Sequence, residues 1–258
     1  MSVFVDLVAL YEGAGFTVQS SLSPAHFPGT NGADVPFSYL FGPNGRACKG
    51  GGIALAEIAF FESLCERARP QRIFIIGNAF GWSTLALALI NRSARVVAID
   101  YCPRPEEEHG LEVTNLLARL AGLDVRAVKG KSPDNVAAIC AREFDGPVEL
   151  AFIDGGHTNA QQSLDFAACR AVANDDTVYV LHDVINFGMV ESFVEIARDN
   201  PDLIASLLLR TPSGMGICYP ATRAVELAPV ARAFTETEQR AQALREEGRR
   251  RLAEGRNG

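Results

Sequence analysis

The chain has 258 residues, with 24 lysines and arginines against 31 aspartates and glutamates, a net charge of −7, and 48% hydrophobic residues. That is enough apolar material for one α/β domain with extensions. The acidic balance disfavours a nucleic-acid partner, whose phosphates favour basic surfaces. Six cysteines (Cys48, Cys65, Cys102, Cys140, Cys169, Cys218) stand singly, without zinc-ribbon spacing or a disulfide framework, and most of them read as small buried side chains in a reducing compartment. The first eleven residues contain Asp6 and no basic run, a poor signal peptide, and no apolar run approaches the roughly 20 residues that span a bilayer. The expectation is a soluble, cytoplasmic protein with no membrane partner.

In chain order, residues 3–11 form a short amphipathic stretch. Residues 21–45 are rich in glycine, proline, serine and asparagine, which favour turns. They also carry Phe27, Phe37, Tyr39, Leu40 and Phe41, too many for a solvated linker. The reading is a loop packed over a site or onto a partner subunit, with an ordered arm lacking a substrate role as the alternative. Residues 53–67 repeat apolar side chains at helical spacing until Pro70 breaks the pattern.

Strand and helix signals then alternate. Strands are predicted at 72–76, 95–99, 125–129, 148–153 and 177–181, with helices at 84–90, 111–121, 135–142 and 160–172 between them. Uninterrupted apolar strands separated by helices mean a parallel sheet covered on both faces. After a helix at 190–198, residues 203–210 and 215–219 flank a turn and predict an antiparallel hairpin that closes the sheet. The fold class expected is a three-layer, Rossmann-like α/β domain with a mostly parallel sheet of about seven strands. Its division is an arm over residues 1–52, a main domain over 53–222 and a charged C-terminal helix over 223–258, the last solvated or packed on a second subunit.

In such a sheet a ligand sits beyond the carboxyl ends of the strands. The first candidate is the turn Gly77-Asn78-Ala79-Phe80-Gly81-Trp82-Ser83. Gly77 lets the chain turn off the strand, Gly81 allows close backbone approach to a ligand, and Ser83 suits the cap of the next helix. The second is Asp100, which ends the next strand 19 residues after Gly81, where a carboxylate can accept both hydrogen bonds of a ribose diol. The alternative is an acid that caps the turn before Pro103. Dinucleotide enzymes and methyltransferases both use such an acid, so these residues leave the class open.

Two further strand ends narrow it. The strand 148–153 runs into Asp154-Gly155-Gly156-His157-Thr158, and the strand 177–181 into His182-Asp183. Here the sequence resembles the class I S-adenosylmethionine (SAM)-dependent methyltransferases, most of all the metal-dependent branch containing sugar and antibiotic O-methyltransferases, over about residues 53–219. The resemblance implies SAM as cofactor, with Gly77, Asn78 and Gly81 at its methionine portion and Asp100 at its ribose. Ser132, in the loop Gly130-Lys131-Ser132, would lie beside the adenine. Phe80, Trp82, Ser83 and Asp154 complete the expected cofactor set, the aromatic pair as packing or pocket walls. The sequence departs from the family at Ile75, where an acid is usual, and at Ala79, where the middle glycine is usual.

Methyl transfer from a sulfonium is an in-line displacement, so the enzyme positions the acceptor and helps to remove its proton. Asp154 and Asp183 are expected to converge as hard oxygen ligands for Mg²⁺, and His182, where related enzymes have an acid, would be a third ligand that tolerates Mn²⁺. The alternative for His182 is a hydrogen-bonded core histidine. His157 is the candidate base, and Asp154 stands with it in the expected catalytic set; the alternatives are a loop histidine that orients Asp154 and, for Asp154 and Asp183, strand-end carboxylates bonded to loop N–H groups. The expected function is O-methylation of a small hydroxylated acceptor, a sugar or natural product, by a homo-oligomer, in outline a homodimer. The rivals are an NAD-dependent oxidoreductase, which would want a third glycine where Trp82 stands, and a SAM-binding module without turnover.

Overall fold

The computed structural model describes residues 2–22 and 36–255, so Phe27 of the aromatic loop lies outside the described residues. An N-terminal helix α1 (Val3–Gly13) leads into a small antiparallel pair, β1 (Thr17–Ser20) and β2 (Ser38–Phe41), and then α2 (Leu55–Ala68). The main sheet begins with β3 (Arg72–Ile76), α3 (Trp82–Ile90), β4 (Arg95–Asp100), α4 (Pro105–Leu120), β5 (Val125–Lys129) and α5 (Val136–Glu143). It continues through β6 (Val148–Ile153), α6 (Asn159–Ala171), β7 (Ala173–Leu181), α7 (Val190–Asp199), β8 (Leu203–Leu208) and β9 (Met215–Pro220). Two more helices, α8 (Ala224–Phe234) and α9 (Glu238–Gly255), end the chain. The sheet has seven strands in the order β5-β4-β3-β6-β7-β9-β8, parallel from β5 through β7 and antiparallel at β9 and β8, as the alternating pattern predicts.

Side chains of a strand alternate between faces, and here each face has its own core. Ile73, Ile75, Val96, Ala98, Leu150, Phe152, Val178 and Val180 join α1, α2, α3 and α8 in one cluster. Phe74, Ile76, Val97, Ile99, Ala151, Ile153, Tyr179 and Leu181 join α5, α6 and α7 in the other. Burial on both faces is why the strands read as unbroken apolar runs. Ile75, where an acid is usual in the family, is fully buried in the first cluster.

The register positions the site. Ile76 pairs with Ile99 and with Ile153, and Ile153 pairs with Leu181. The next residues, Gly77, Asp100, Asp154 and His182, therefore leave the sheet at one level of its carboxyl edge.

Three features differ from the expected elements. The arm contains a helix and a two-stranded sheet, and α1 packs on α3 with Leu7 and Tyr11 fully buried. β7 begins four residues earlier than the apolar run, at Ala173, because a register shift opposite Val148 and Leu150 admits polar residues there. The tail is two helices. α8 buries Leu227, Val230 and Ala231 against the α2 side of the core, whereas α9 is polar and largely exposed. Among the described residues no helix is long and apolar enough to cross a membrane.

Candidate functional site

The turn after β3 is held from within. Gly77 has φ 96°, and a Cβ there would stand 1.9 Å from the Asp154 carbonyl oxygen. Gly81 has φ 82°, and a Cβ there would stand 2.2 Å from Thr114 Oγ1 on α4. Its small size thus serves the packing of α3 against α4. Gly81 is also the N-cap of α3, so Ser83 lies inside the helix, buried, and is not the cap. Ala79 takes the glycine-like φ of 44° at the position where the family usually has glycine. The Asn78 amide is buried, donating to Ala79 O and Thr114 Oγ1 and accepting from Thr84 Oγ1. Trp82 packs over Gly52 and donates from Nε1 to Ile53 O, while the Phe80 carbonyl accepts the Tyr11 hydroxyl.

Asp100 Oδ2 accepts the backbone N–H groups of Asn78 (3.0 Å) and Ala79 (2.7 Å), so this acid organises the turn. Its other oxygen, Oδ1, accepts a long bond from Cys102 N at 3.4 Å, in the turn before Pro103. The expected cap of the turn before Pro103 is thus only this long bond, and the shorter pair ties Asp100 to the glycine turn instead.

At the ends of β6 and β7 four side chains converge. Asp154, His182 and Asp183 each offer a ligand atom, all within 4.8 Å of one another. His182 Nδ1 lies 3.2 Å from Asp154 Oδ1 and 3.4 Å from Asp183 Oδ2. It is buried and has no hydrogen-bond partner. His157 Nε2 lies 3.1 Å from Asp183 Oδ2 and 3.5 Å from Asp154 Oδ1, and its ring stacks on Phe187 at 4.1 Å between centroids. Asp183 has φ 57°, a left-handed conformation that aspartate tolerates better than most residues.

The electrostatics follow from this crowding. Hydrogen bonds to Asp154 and Asp183 push the His157 pKa up to about 9 against a smaller effect of burial. Burial opposes ionisation of Asp183 and Asp154, but their contacts with the two histidines outweigh it and hold both below the usual carboxylate range. Burial likewise disfavours a charged His182, yet Asp154 and Glu57 raise its pKa well above the ordinary histidine value.

Glu57 is the residue that the sequence reading missed. It sits at the third position of α2, fully buried, and Oε2 accepts the Ala54 N–H at 2.9 Å. Oε1 accepts both the backbone N–H and the hydroxyl of Ser213. Its Oε2 also lies 3.1 Å from His182 Nε2. The signal was an acid on the apolar stripe of a helix, between Ile53 and Phe60 and Phe61. Also missed were Asn186, whose amide donates to Asp183 Oδ1 at 3.3 Å, and Phe187.

A cleft of about 260 Å³ joins these parts, lined by the turn residues Gly77 to Phe80, by Asp100, and by Asp154, His157, His182 and Asp183. The arm supplies its other wall through Phe37, Tyr39 and residues 50–52. Phe37 and Phe152 flank the His182 ring edge-on at 6.1 and 5.7 Å. Ser132 stands apart, in an adjoining pocket that shares Gly77, Asp100 and Asp154 with this cleft.

Residues 74–184 match a family of methyltransferase domains, a segment that runs from β3 through both strand-end aspartates. Among solved structures the chain resembles an O-methyltransferase from Bacillus cereus in complex with S-adenosylhomocysteine (SAH), with a TM-score of 0.55 and 19% identity over 65% of this chain and 82% of that one. It also resembles the O-methyltransferase TomG from Streptomyces achromogenes, involved in tomaymycin synthesis and in complex with SAM (TM-score 0.55, 17% identity, 66% of this chain and 81% of that one). A third is cofactor-bound Rv0187 from MTB (TM-score 0.55, 18% identity, 84% of this chain and 89% of that one). No curated protein matches the chain by sequence. At these identities the likeness to solved structures is one of fold. Sheet order and domain match agree on a methyltransferase domain over residues 74–184 set in a methyltransferase-like fold.

Proposed function

We propose that the chain transfers the methyl group of SAM to a hydroxyl oxygen of a small polar acceptor, a sugar or hydroxylated natural product, with a divalent cation held by Asp154, His182 and Asp183. The observation that carries the metal is the orphaned Nδ1 of His182. Glu57 Oε2 is an acceptor facing Nε2, which places a proton there. In neutral His182 the Nδ1 lone pair then confronts two carboxylate oxygens, and three acceptors around one point call for a cation. A histidine held from behind by a carboxylate is a common support for a metal ligand. Two carboxylates and one imidazole suit Mg²⁺ and also admit Mn²⁺.

When bound, the cation would supply Lewis acidity toward the acceptor hydroxyl. The chain's own residues do the rest. Gly77 and the turn shape the floor on which the methionine portion lies, and Asp100 takes the ribose. The wall of Phe37 and Tyr39 narrows the cleft over the acceptor and limits water. His157 is a poor base while Asp154 and Asp183 hold it protonated. With those carboxylates engaged by a cation its pKa falls, and Nε2 can take the acceptor's proton.

The test is a methyl-transfer screen over hydroxylated acceptors, read as SAH release, with chelated protein and with Mg²⁺ or Mn²⁺ restored. Turnover that needs the added ion supports the reading. Turnover indifferent to chelation removes the cation, and transfer only to amines removes the oxygen acceptor.

A further inference from the structure

Phe187 is an exposed aromatic on a tightly hydrogen-bonded turn. After β7, Phe187 N donates to Asp183 O at 3.1 Å, Gly188 N to Ile185 O at 3.1 Å and Met189 N to Val184 O at 2.7 Å. Asn186 ties this turn to the loop between β8 and β9 through Ser213 O at 3.2 Å, and its amide donates to Asp183 Oδ1. Val184 and Met189 are buried, whereas Phe187 is 53% exposed and lines the cleft. Core packing therefore does not account for an aromatic side chain at this position. Among the described residues its ring partner is His157, stacked with an angle of 13° between the ring planes.

His157 has little else to hold it. It follows Gly155 and Gly156 in the loop after β6, and its polar contacts are with Asp154 and Asp183, both made through Nε2. Those are the two carboxylates that a cation would take. Whatever frees Nε2 for the acceptor's proton therefore also removes the bonds that aim it. The stack on Phe187 uses the face of the imidazole and neither nitrogen, so it survives that exchange.

We propose that Phe187 is a positioning residue: it holds the His157 imidazole flat against its own ring, so that Nε2 stays aimed between Asp154 and Asp183 once those carboxylates engage a cation. This role rests on His157 acting as the base. It also couples the base to the metal site, because the turn that presents Phe187 starts at Asp183.

Proton NMR of the histidine rings tests the contact, and turnover tests its use. The His157 ring signals, identified by their loss in His157→Ala, lie over the Phe187 ring and should be shifted upfield. In Phe187→Leu they should move downfield, in chelated protein and with Mg²⁺ added alike. No movement in either state, or movement in the chelated protein alone, overturns the proposal. Phe187→Leu should leave SAH affinity and melting temperature little changed and lower kcat about 10- to 100-fold, the scale of a misplaced group, with KM nearly constant. Phe187→Tyr, which keeps a flat ring, should restore most of the loss. In a His157→Ala background Phe187→Leu should cost nothing further. Full turnover in Phe187→Leu, or an equal loss with and without His157, would make Phe187 a plain wall of the cleft and overturn its action through His157. Full turnover in His157→Ala overturns the base reading itself.

Discussion

Glu57 Oε2 and His182 Nε2 lie 3.1 Å apart in the buried interior, joined across 125 residues of sequence. The contact fixes which face of the imidazole looks toward Asp154 and Asp183. Glu57→Gln can donate to Nε2 instead and leave the proton on Nδ1, where it opposes a cation. Mn²⁺ affinity, followed by calorimetry or electron paramagnetic resonance, should fall about 10- to 100-fold, the usual effect of removing such a support. Glu57→Ala strips partners from Ala54, Ser213 and His182 together and should cost about 3–5 kcal/mol of stability. Unchanged Mn²⁺ affinity in Glu57→Gln would show that the contact is structural only.

The cation and the base are separable. Asp183→Ala should lose metal affinity and turnover while retaining SAH binding, because Asp183 is outside the glycine turn. His157→Ala should keep the metal and lose turnover by about 10²–10⁴-fold, the range for a positioned base. Full activity in His157→Ala would leave proton removal to other groups.

The pH dependence has a definite sign in the chelated protein. His157 rises from the usual 6.5 to about 9 on folding, so its contribution to stability is fully present below about pH 6.5 and is lost as pH rises through about 9. The melting temperature of chelated protein should fall across that window, and His157→Gln should flatten the fall. A cation competes with those protons, so metal binding should release protons and tighten with rising pH. Calorimetry in buffers of different ionisation enthalpy measures the release; none at all would contradict the protonated histidines.

Asp100→Ala removes the acceptor for two turn N–H groups as well as the site for a diol. SAH affinity should drop by more than the roughly 1.5–3 kcal/mol of one charged hydrogen bond. Asp100→Asn, which keeps one carbonyl for the turn, should drop less. Equal losses in the two variants would show that turn geometry does not depend on this carboxylate.

The arm is structural as well as a wall of the cleft. Sequence alone suggests that residues 1–45 can be deleted with SAM binding intact. The burial of Leu7 and Tyr11 against α3, and the bond from Tyr11 to the Phe80 carbonyl, lead to a different expectation. Leu7→Ala should cost about 2–5 kcal/mol, and the 1–45 deletion should lower both melting temperature and SAH affinity. Wild-type melting behaviour in the deletion would make the arm a detachable lid.

Much of this molecule is written along the chain. Strands 72–76, 95–99, 148–153 and 177–181 are legible because burial on both faces demands unbroken apolar runs, and the residues that follow them line one cleft because parallel strands end at one edge. Gly77, Asp100, Asp154, His157, His182 and Asp183 could therefore be named from order and residue type. The arm was not legible as structure. Its helix buries few residues, and β1 and β2 pair across a long segment whose glycine- and proline-rich composition carries no period. The deciding contact was also hidden. Glu57 lies on a helix far from the strand ends, so neither spacing nor motif connects it to the cleft. Only packing α2 against the sheet brings this acid to His182. There the low-dielectric interior makes each unpaired polar atom costly, and for that reason informative.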